Sequence, residues 1–305
     1  MLLPFFRGSL ASSPSFFVKA SIRSRATMNP LKKIVLDAKK KHQPLDLHLH
    51  TRFSVDVING NSFEEYMQAG EAIGIVPGFL DHFQAEKVGD KRYPFHEENV
   101  TNYFNAYETA KETGLRSFLG LEIDYYSPEL HGDWNRITME WLDRHKKEFD
   151  YLVGTVHDVF EGTITIPAEL DGLLKTHSFP EIDAEYYHVL DRGIELGGFH
   201  GFAHLDVVYR FCGDKGVLPG KKEYYTDERT VAGMAACTRH DIVIELNLRG
   251  FDHPWNSTYP AEPLFQRFKD LHPKAAFFTG SDSHDVKTFE RYAPVIRRYT
   301  ERLNT

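Results

Sequence analysis

Seven short apolar runs recur along the chain, and amphipathic stretches separate them. The runs cover residues 45–49, 75–80, 117–123, 151–156, 198–203, 242–246 and 275–279. A run of that length, rich in branched and aromatic residues, reads as a buried strand. Between them the pattern predicts helices over 62–73, 99–113, 184–196, 227–239, 260–271 and 286–303. Ser62 followed by Phe63, Glu64 and Glu65 is a good helix start, and Gly74 and Gly114 are fitting stops. Alternation of this kind folds as a right-handed parallel β/α array. Periodicity alone does not separate a closed barrel from an open doubly wound sheet. The stretch 160–180 fits neither template and is read as a long loop over one face.

Potential metal ligands stand at the same place in run after run. Asp46-Leu47-His48-Leu49-His50 ends the first, Asp81-His82 the second, and Glu122 with Asp124 the third. His157-Asp158 ends the fourth, His204 and Asp206 the fifth, and Asp282-Ser283-His284 the seventh. In a parallel β/α fold the carboxyl ends of all strands open on one face, where sites are built. Side chains at i and i+2 of a strand point the same way, so His48 and His50 can reach one ion, as can Asp282 and His284. Carboxylates can bridge two cations and offset their repulsion. Any one of these histidines alone is an ordinary structural or surface residue. Six strand ends aimed at one mouth are a cation site.

Composition narrows the function further. The chain has 305 residues, suited to one large β/α domain, and no apolar run approaches a bilayer span. The formal charge of -8 repels phosphate backbones and argues against an extended nucleic-acid surface. Two cysteines, Cys212 and Cys237, make neither a disulfide framework nor a metal pair, so a reducing, cytoplasmic setting is the default. The first 40 residues differ in kind. No Asp or Glu precedes Asp37, while Arg7, Lys19, Arg23, Arg25, Lys32 and Lys33 are interspersed with serines. That composition reads either as an organellar targeting segment or as an untargeted disordered extension ahead of Met28. The β/α domain is accordingly placed at 41–305.

Read in order, the segments Asp46-Leu-His-Leu-His50-Thr-Arg-Phe-Ser-Val-Asp56, Asp81-His82, Gly120-Leu-Glu122, Gly154-Thr-Val-His157, Ala203-His204-Leu-Asp206 and Gly280-Ser-Asp-Ser-His284 resemble the PHP (polymerase and histidinol phosphatase) family. The resemblance spans Asp46 to His284 and is closest to the histidinol-phosphatase-like branch. It implies a distorted seven-stranded, TIM-like β/α barrel and a trinuclear site of zinc, manganese or iron. By the same resemblance His48, His50, Glu122 and Asp282 hold a first ion. Glu122 bridges to a second with His157 and His204, and Asp56, His82 and His284 hold a third. Asp56 stands where some relatives carry histidine, which points to a weaker site or a harder ion. Asp81 precedes His82 where phosphatase relatives often have Thr-Glu-His, which loosens the link to a particular substrate. Arg210, after the fifth strand, matches the branch's phosphate-binding arginine, and Arg249 is a second candidate. Arg52 and Lys87 are weaker ones. Asp46, Asp158, Asp206 and His253 are options for orienting ligands. His42, His96, His131, His145, His188, His240 and His272 are placed off the mouth, with His177 and His200 undecided.

The expected reaction is hydrolysis of a small phosphomonoester by a metal-bridging hydroxide, with Glu122, Asp282 and His284 nearest the chemistry. Histidinol phosphate, and with it histidine biosynthesis, is the substrate that the branch implies. Three alternatives stay open: a phosphodiesterase or exonuclease on nucleotides, a non-catalytic metal-binding module, and an amidohydrolase. The last lacks a bridging lysine at the fourth strand, where His157 stands. The sequence names neither the oligomeric state nor the general acid.

Overall fold

The computed structural model describes residues 28–211, 220 and 224–304. The extension to residue 27, and Cys212, lie outside the described residues. The described residues begin with α1 (Pro30–Lys40), β1 (Leu45–Leu49), α2 (Phe63–Ile73), β2 (Val76–Phe79) and β3 (His82–Phe83). Next come α3 (Val100–Lys111), β4 (Phe118–Asp124), α4 (Pro128–His145), β5 (Tyr151–Thr155), and the small pair β6 (Asp158–Val159) and β7 (Gly162–Thr163). It continues through α5 (Pro167–Leu173), α6 (Phe179–Leu196), β8 (Gly201–Phe202), α7 (Glu228–Arg239) and β9 (Val243–Asn247). It ends with α8 (Glu262–Leu271), β10 (Phe277–Gly280) and α9 (Val286–Asn304).

Seven strands run in the order β1-β2-β4-β5-β8-β9-β10, all parallel, with β3 paired to β4. The chain beyond β10 returns to β1. Asp282 N–H donates to His48 O at 2.9 Å, and His50 N–H donates to Ser283 O at 3.0 Å. These bonds bring the sheet nearly full circle, so the array is a TIM-like barrel and not an open sheet. All seven expected strands are present.

The lower barrel is a dry plug of Leu45, Leu47, Val76, Leu80, Tyr151, Val153, Ala203, Val243 and Phe278. Burying each large apolar side chain stabilises the fold by about 1.5–3 kcal/mol. Outside the sheet, an aromatic layer of Phe63, Phe79, Phe83, Phe95, Tyr103 and Trp141 packs the helices on. Ser62 and Glu65 form a reciprocal capping box at the start of α2, which ends at Gly74 with φ 64°.

Three regions differ from the sequence expectation. Residues 30–40, set aside with the N-terminal extension, form α1, capped by Asn29 with Pro30 in its first turn. Leu31 and Ala38 of this helix close the bottom of the barrel plug. The stretch 160–180 is not a loop. It holds β7, which pairs with β6 just before the stretch, then α5 and the start of α6, where Ser178 and Glu181 form a second capping box. Helix α4 went unread because only Thr138, Trp141 and Leu142 of its 18 residues are buried, too few for a clear period. No helix among the described residues is long and apolar enough to cross a membrane.

Candidate metal centre

The sheet delivers its polar side chains to one end of the barrel. His48 lies on β1, one residue before its end, Glu122 lies on β4, His157 follows β5, His204 follows β8, and Asp282 follows β10. His82 opens β3 and is in register with Glu122 across the β3–β4 pair. His204 and Asp282 hold left-handed backbone at φ 24° and 54°. Such strain in a side-chain-bearing residue persists where surrounding structure enforces it, characteristically at functional sites.

Glu122 is the hub. Its Oε2 lies 3.1 Å from His48 Nε2, 3.6 Å from His50 Nε2 and 3.3 Å from His82 Nδ1. Its Oε1 lies 3.0 Å from His204 Nε2 and 3.7 Å from His157 Nε2. His48 Nε2 and His50 Nε2 are 3.1 Å apart, and the His157 and His204 Nε2 atoms 3.4 Å. Asp282 Oδ1 is 3.2 Å from His50 Nε2 and 3.6 Å from His284 Nδ1. Asp56 Oδ2 joins His284 Nε2 at 2.7 Å and His82 Nε2 at 3.3 Å. The sequence-predicted residues His48, His50, Asp56, His82, Glu122, His157, His204, Asp282 and His284 are therefore all gathered at one place.

These spacings fit metal ions. Two ligand atoms each about 2.1 Å from a shared ion stand about 3.4 Å apart at a tetrahedral angle and about 3.0 Å at a right angle. The separations above fall in and around that range. His82 Nδ1 is buried 3.3 Å from Glu122 Oε2 yet makes no hydrogen bond, as expected of two ligands meeting at a third body. His204 Nδ1 is likewise buried without a partner among the described residues. Three overlapping groups able to hold an ion result: His48, His50 and Glu122; His50, Asp56 and His284; His82, Glu122 and His157.

Partners behind the ligands fix their tautomers. Glu245 Oε1 is 2.6 Å from His48 Nδ1, and its Oε2 accepts the backbone N–H of His204 at 2.9 Å, which holds that loop in place. Asp124 Oδ1 is 2.5 Å from His157 Nδ1. Asn247 donates to Asp282 Oδ2 at 3.3 Å. Each arrangement leaves the other ring nitrogen or carboxylate oxygen facing the centre. Glu245 escaped the sequence reading. Its only signal is a carboxylate inside the otherwise apolar run 242–246.

Other acidic candidates serve the backbone. Asp46 Oδ1 accepts from His48 N–H and Ser281 N–H, Asp81 from the Thr51 amide and hydroxyl, and Asp206 from Ala261 N–H. They pin the loops that carry the ligands.

Electrostatics matches the geometry. Burial alone would keep His48 neutral, but the Glu245 and Glu122 carboxylates outweigh it and push its pKa well up. Burial raises Glu122, yet the His48 and His82 charges and the His204 hydrogen bond hold it well below the usual carboxylate range. Burial, with the His284 charge, brings His50 down to about 4. The Glu122 carboxylate is thus ionised, and imidazole nitrogens from several strands converge on it, a donor set of the borderline kind.

A cavity of about 410 Å³ opens over the cluster. Asp56, His82, Glu122, His157, His204, Asp282 and His284 form its floor, and Lys87, Asp158, Arg210, Arg249 and His253 line its walls. Both predicted phosphate-binding arginines are therefore at the mouth. Arg52 is not; it lies over the Phe53 ring. None of His42, His96, His131, His145, His188, His240 and His272 lines the cavity. His177 stacks on Phe160 at 3.9 Å, and His200 Nδ1 accepts the Leu152 N–H at 3.0 Å, so both are structural. A larger cavity of about 790 Å³ lies beside α1, α8 and α9 at the opposite end and contains none of the clustered ligands.

The PHP domain model matches residues 46–249, the span that carries most of this cluster. The chain belongs to the PHP family. No curated protein matches it in sequence. Among solved structures, this PHP chain is similar to HisK of Listeria monocytogenes, with 21% identity and a TM-score of 0.65. That match covers 82% of this chain and 99% of the other. It is also similar to the histidinol phosphate phosphatase HisK of Lactococcus lactis, solved with zinc, L-histidinol and phosphate. There the identity is 20% and the TM-score 0.62, over 85% of this chain and 94% of the other. At such identities the likeness establishes the shared barrel.

Proposed function

We propose that this PHP protein is a metal-dependent phosphatase of small phosphomonoesters, of the histidinol-phosphatase-like branch, with histidinol phosphate as the leading substrate. The observation that carries the reading is Glu122, whose two oxygens face separate groups of imidazoles. A carboxylate so placed could bridge two cations. The zinc, histidinol and phosphate bound by the Lactococcus lactis relative support the same chemistry and a small ligand. A bounded mouth of about 410 Å³ suits a metabolite better than a polymer.

In this reading His48, His50, Glu122 and Asp282 would hold one ion, Glu122, His157 and His204 a second, and Asp56, His82 and His284 a third. Zinc, manganese and iron all suit the donors, and Asp56 favours a harder ion at the third position. The chemistry such ions would supply is polarisation of phosphoryl oxygens and activation of water near neutral pH. The chain's own residues do the rest. Arg210 and Arg249 hold the phosphate oxygens and turn phosphorus toward the cluster. Glu122, Asp282 and His284 fix the geometry around the reacting atoms. Glu245 and Asp124 keep His48 and His157 in one tautomer throughout.

The test is phosphate release by the purified full chain from histidinol phosphate and a panel of phosphomonoesters, before and after chelation and with metal returned. Hydrolysis that is lost on chelation and restored by metal is expected. Metal-replete protein that leaves every monoester intact, or that cleaves diesters faster, would overturn the reading.

A further inference from the structure

Three basic or neutral nitrogen groups face the mouth from the loops after β8 and β9: Arg210, Arg249 and His253. Two of them carry an unused buried nitrogen. Arg210 Nε and His253 Nε2 are buried, and neither makes a hydrogen bond to any described residue. Arg249 is partly engaged, with Nη1 3.4 Å from Asp252 Oδ2. A protein rarely buries donors or acceptors without a partner, so an unused pair in a cavity wall points to a ligand.

The His253 backbone is anchored on both sides: its amide N–H donates to Gly250 O at 3.2 Å, and its carbonyl accepts from Asn256 N–H at 2.9 Å. The rings of Phe211 and Tyr259 flank it at 6.0 and 6.3 Å. The charges that reach it are Arg210 after β8, Arg249 and Asp252 after β9, and Asp282 after β10. Burial first, and then the two guanidinium groups, bring its pKa down to about 4, against the weaker pull of Asp282 and Asp252. In the free protein the imidazole is therefore neutral near pH 7.

We propose that His253 completes a phosphate-binding trio with Arg210 and Arg249 and takes up one proton when a phosphate dianion settles among them. The proposal rests on the phosphoesterase reading above. The dianion offsets the guanidinium field that keeps the ring neutral and adds its own attraction. An opposite charge close by moves a titrating group by about 1–3 in pH, and the dianion brings two. The proton comes from bulk water and goes to Nε2, which then donates to a phosphate oxygen. The gain is selectivity. A neutral ligand of the same shape leaves the ring unprotonated and its nitrogen unused.

Sulfate is the suitable probe, because it is a dianion across the working range and has no proton of its own to exchange there. Metal-loaded protein is titrated calorimetrically with sulfate at pH 6 in two buffers of different ionisation heat. Wild type is expected to take up about one proton more per sulfate than His253→Gln, and the variant to bind about tenfold more weakly. The difference matters because other groups at the centre also exchange protons. His253→Asn repeats the count if the glutamine variant folds poorly. Equal proton uptake in wild type and variants, or unchanged affinity, overturns the role of His253 alone. Failure of wild type to bind either sulfate or inorganic phosphate undermines the phosphoesterase reading itself.

Discussion

His48 Nδ1 stands 2.6 Å from Glu245 Oε1, and both side chains are fully buried. The pair decides which nitrogen of His48 faces Glu122. With Nδ1–H donating to Glu245, only Nε2 is left for an ion. The arrangement is possible because residue 280 is glycine. A Cβ there would lie 2.1 Å from Glu245 Oε1 and 2.4 Å from His48 Cβ.

Glu245→Gln is therefore expected to damage the centre without touching a proposed ligand. The amide keeps one acceptor but turns its NH2 toward the donors of His48 or His204. Loss of such a partner lowers metal affinity or turnover by about 10–100-fold. Metal titration and phosphatase kinetics on the variant check this, and wild-type values in both would remove Glu245 from the account.

Gly280→Ala tests the same contact sterically. Forcing a methyl against the buried Glu245 and His48 side chains costs about 1–3 kcal/mol. The melting temperature is expected to fall, and bound metal with it. An unchanged melt and full metal content would mean that the His48–Glu245 contact yields easily.

Chelation is expected to proceed in stages. The Asp56 side chain is 42% exposed and that of His284 29%, whereas His48 and Glu122 stand at 0% and 1%. An ion held by Asp56, His82 and His284 therefore meets the chelator first. Metal content followed against time by mass spectrometry should fall by one ion per chain before the remainder leaves. Simultaneous loss of all metal would contradict the staging.

Away from the centre, Asp183 links stability to pH. Burial raises its carboxyl to about 6, outweighing the charge of its ion-pair partner Arg229. A carboxyl with a raised pKa binds its proton more tightly in the folded chain. Its protonated form helps the fold fully below pH about 4, and that help is lost as pH rises through about 6. Relative to Asp183→Asn, wild type should lose about 1–2 kcal/mol across this window. Denaturant melts at pH 4, 5, 6 and 7 supply the comparison, and a constant difference would refute it.

Much of this architecture was legible in the chain. Strand ends were readable because β/α barrels put short apolar runs just before their functional residues, as at Leu45–Leu49 and Val243–Asn247. Spacing of two placed His48 with His50 and Asp282 with His284. What stayed hidden has a physical reason in each case. Glu245 pairs with residues about 40 and 200 positions away, and no local pattern encodes that contact. Helix α1 sits inside a basic, serine-rich stretch, where composition outweighed the apolar spacing of Leu31, Ile34, Val35 and Ala38. Helix α5 spans seven residues, too few to declare a period.

The central claim is that Glu122 bridges cations held by side chains from separate strands. Anomalous diffraction from crystals of the metal-loaded protein, collected at the absorption edge of the bound metal, tests it most directly. The account predicts strong peaks on both sides of the Glu122 carboxylate, each about 2.0–2.3 Å from one of its oxygens. Metal peaks elsewhere on the chain, with none beside Glu122, would contradict it.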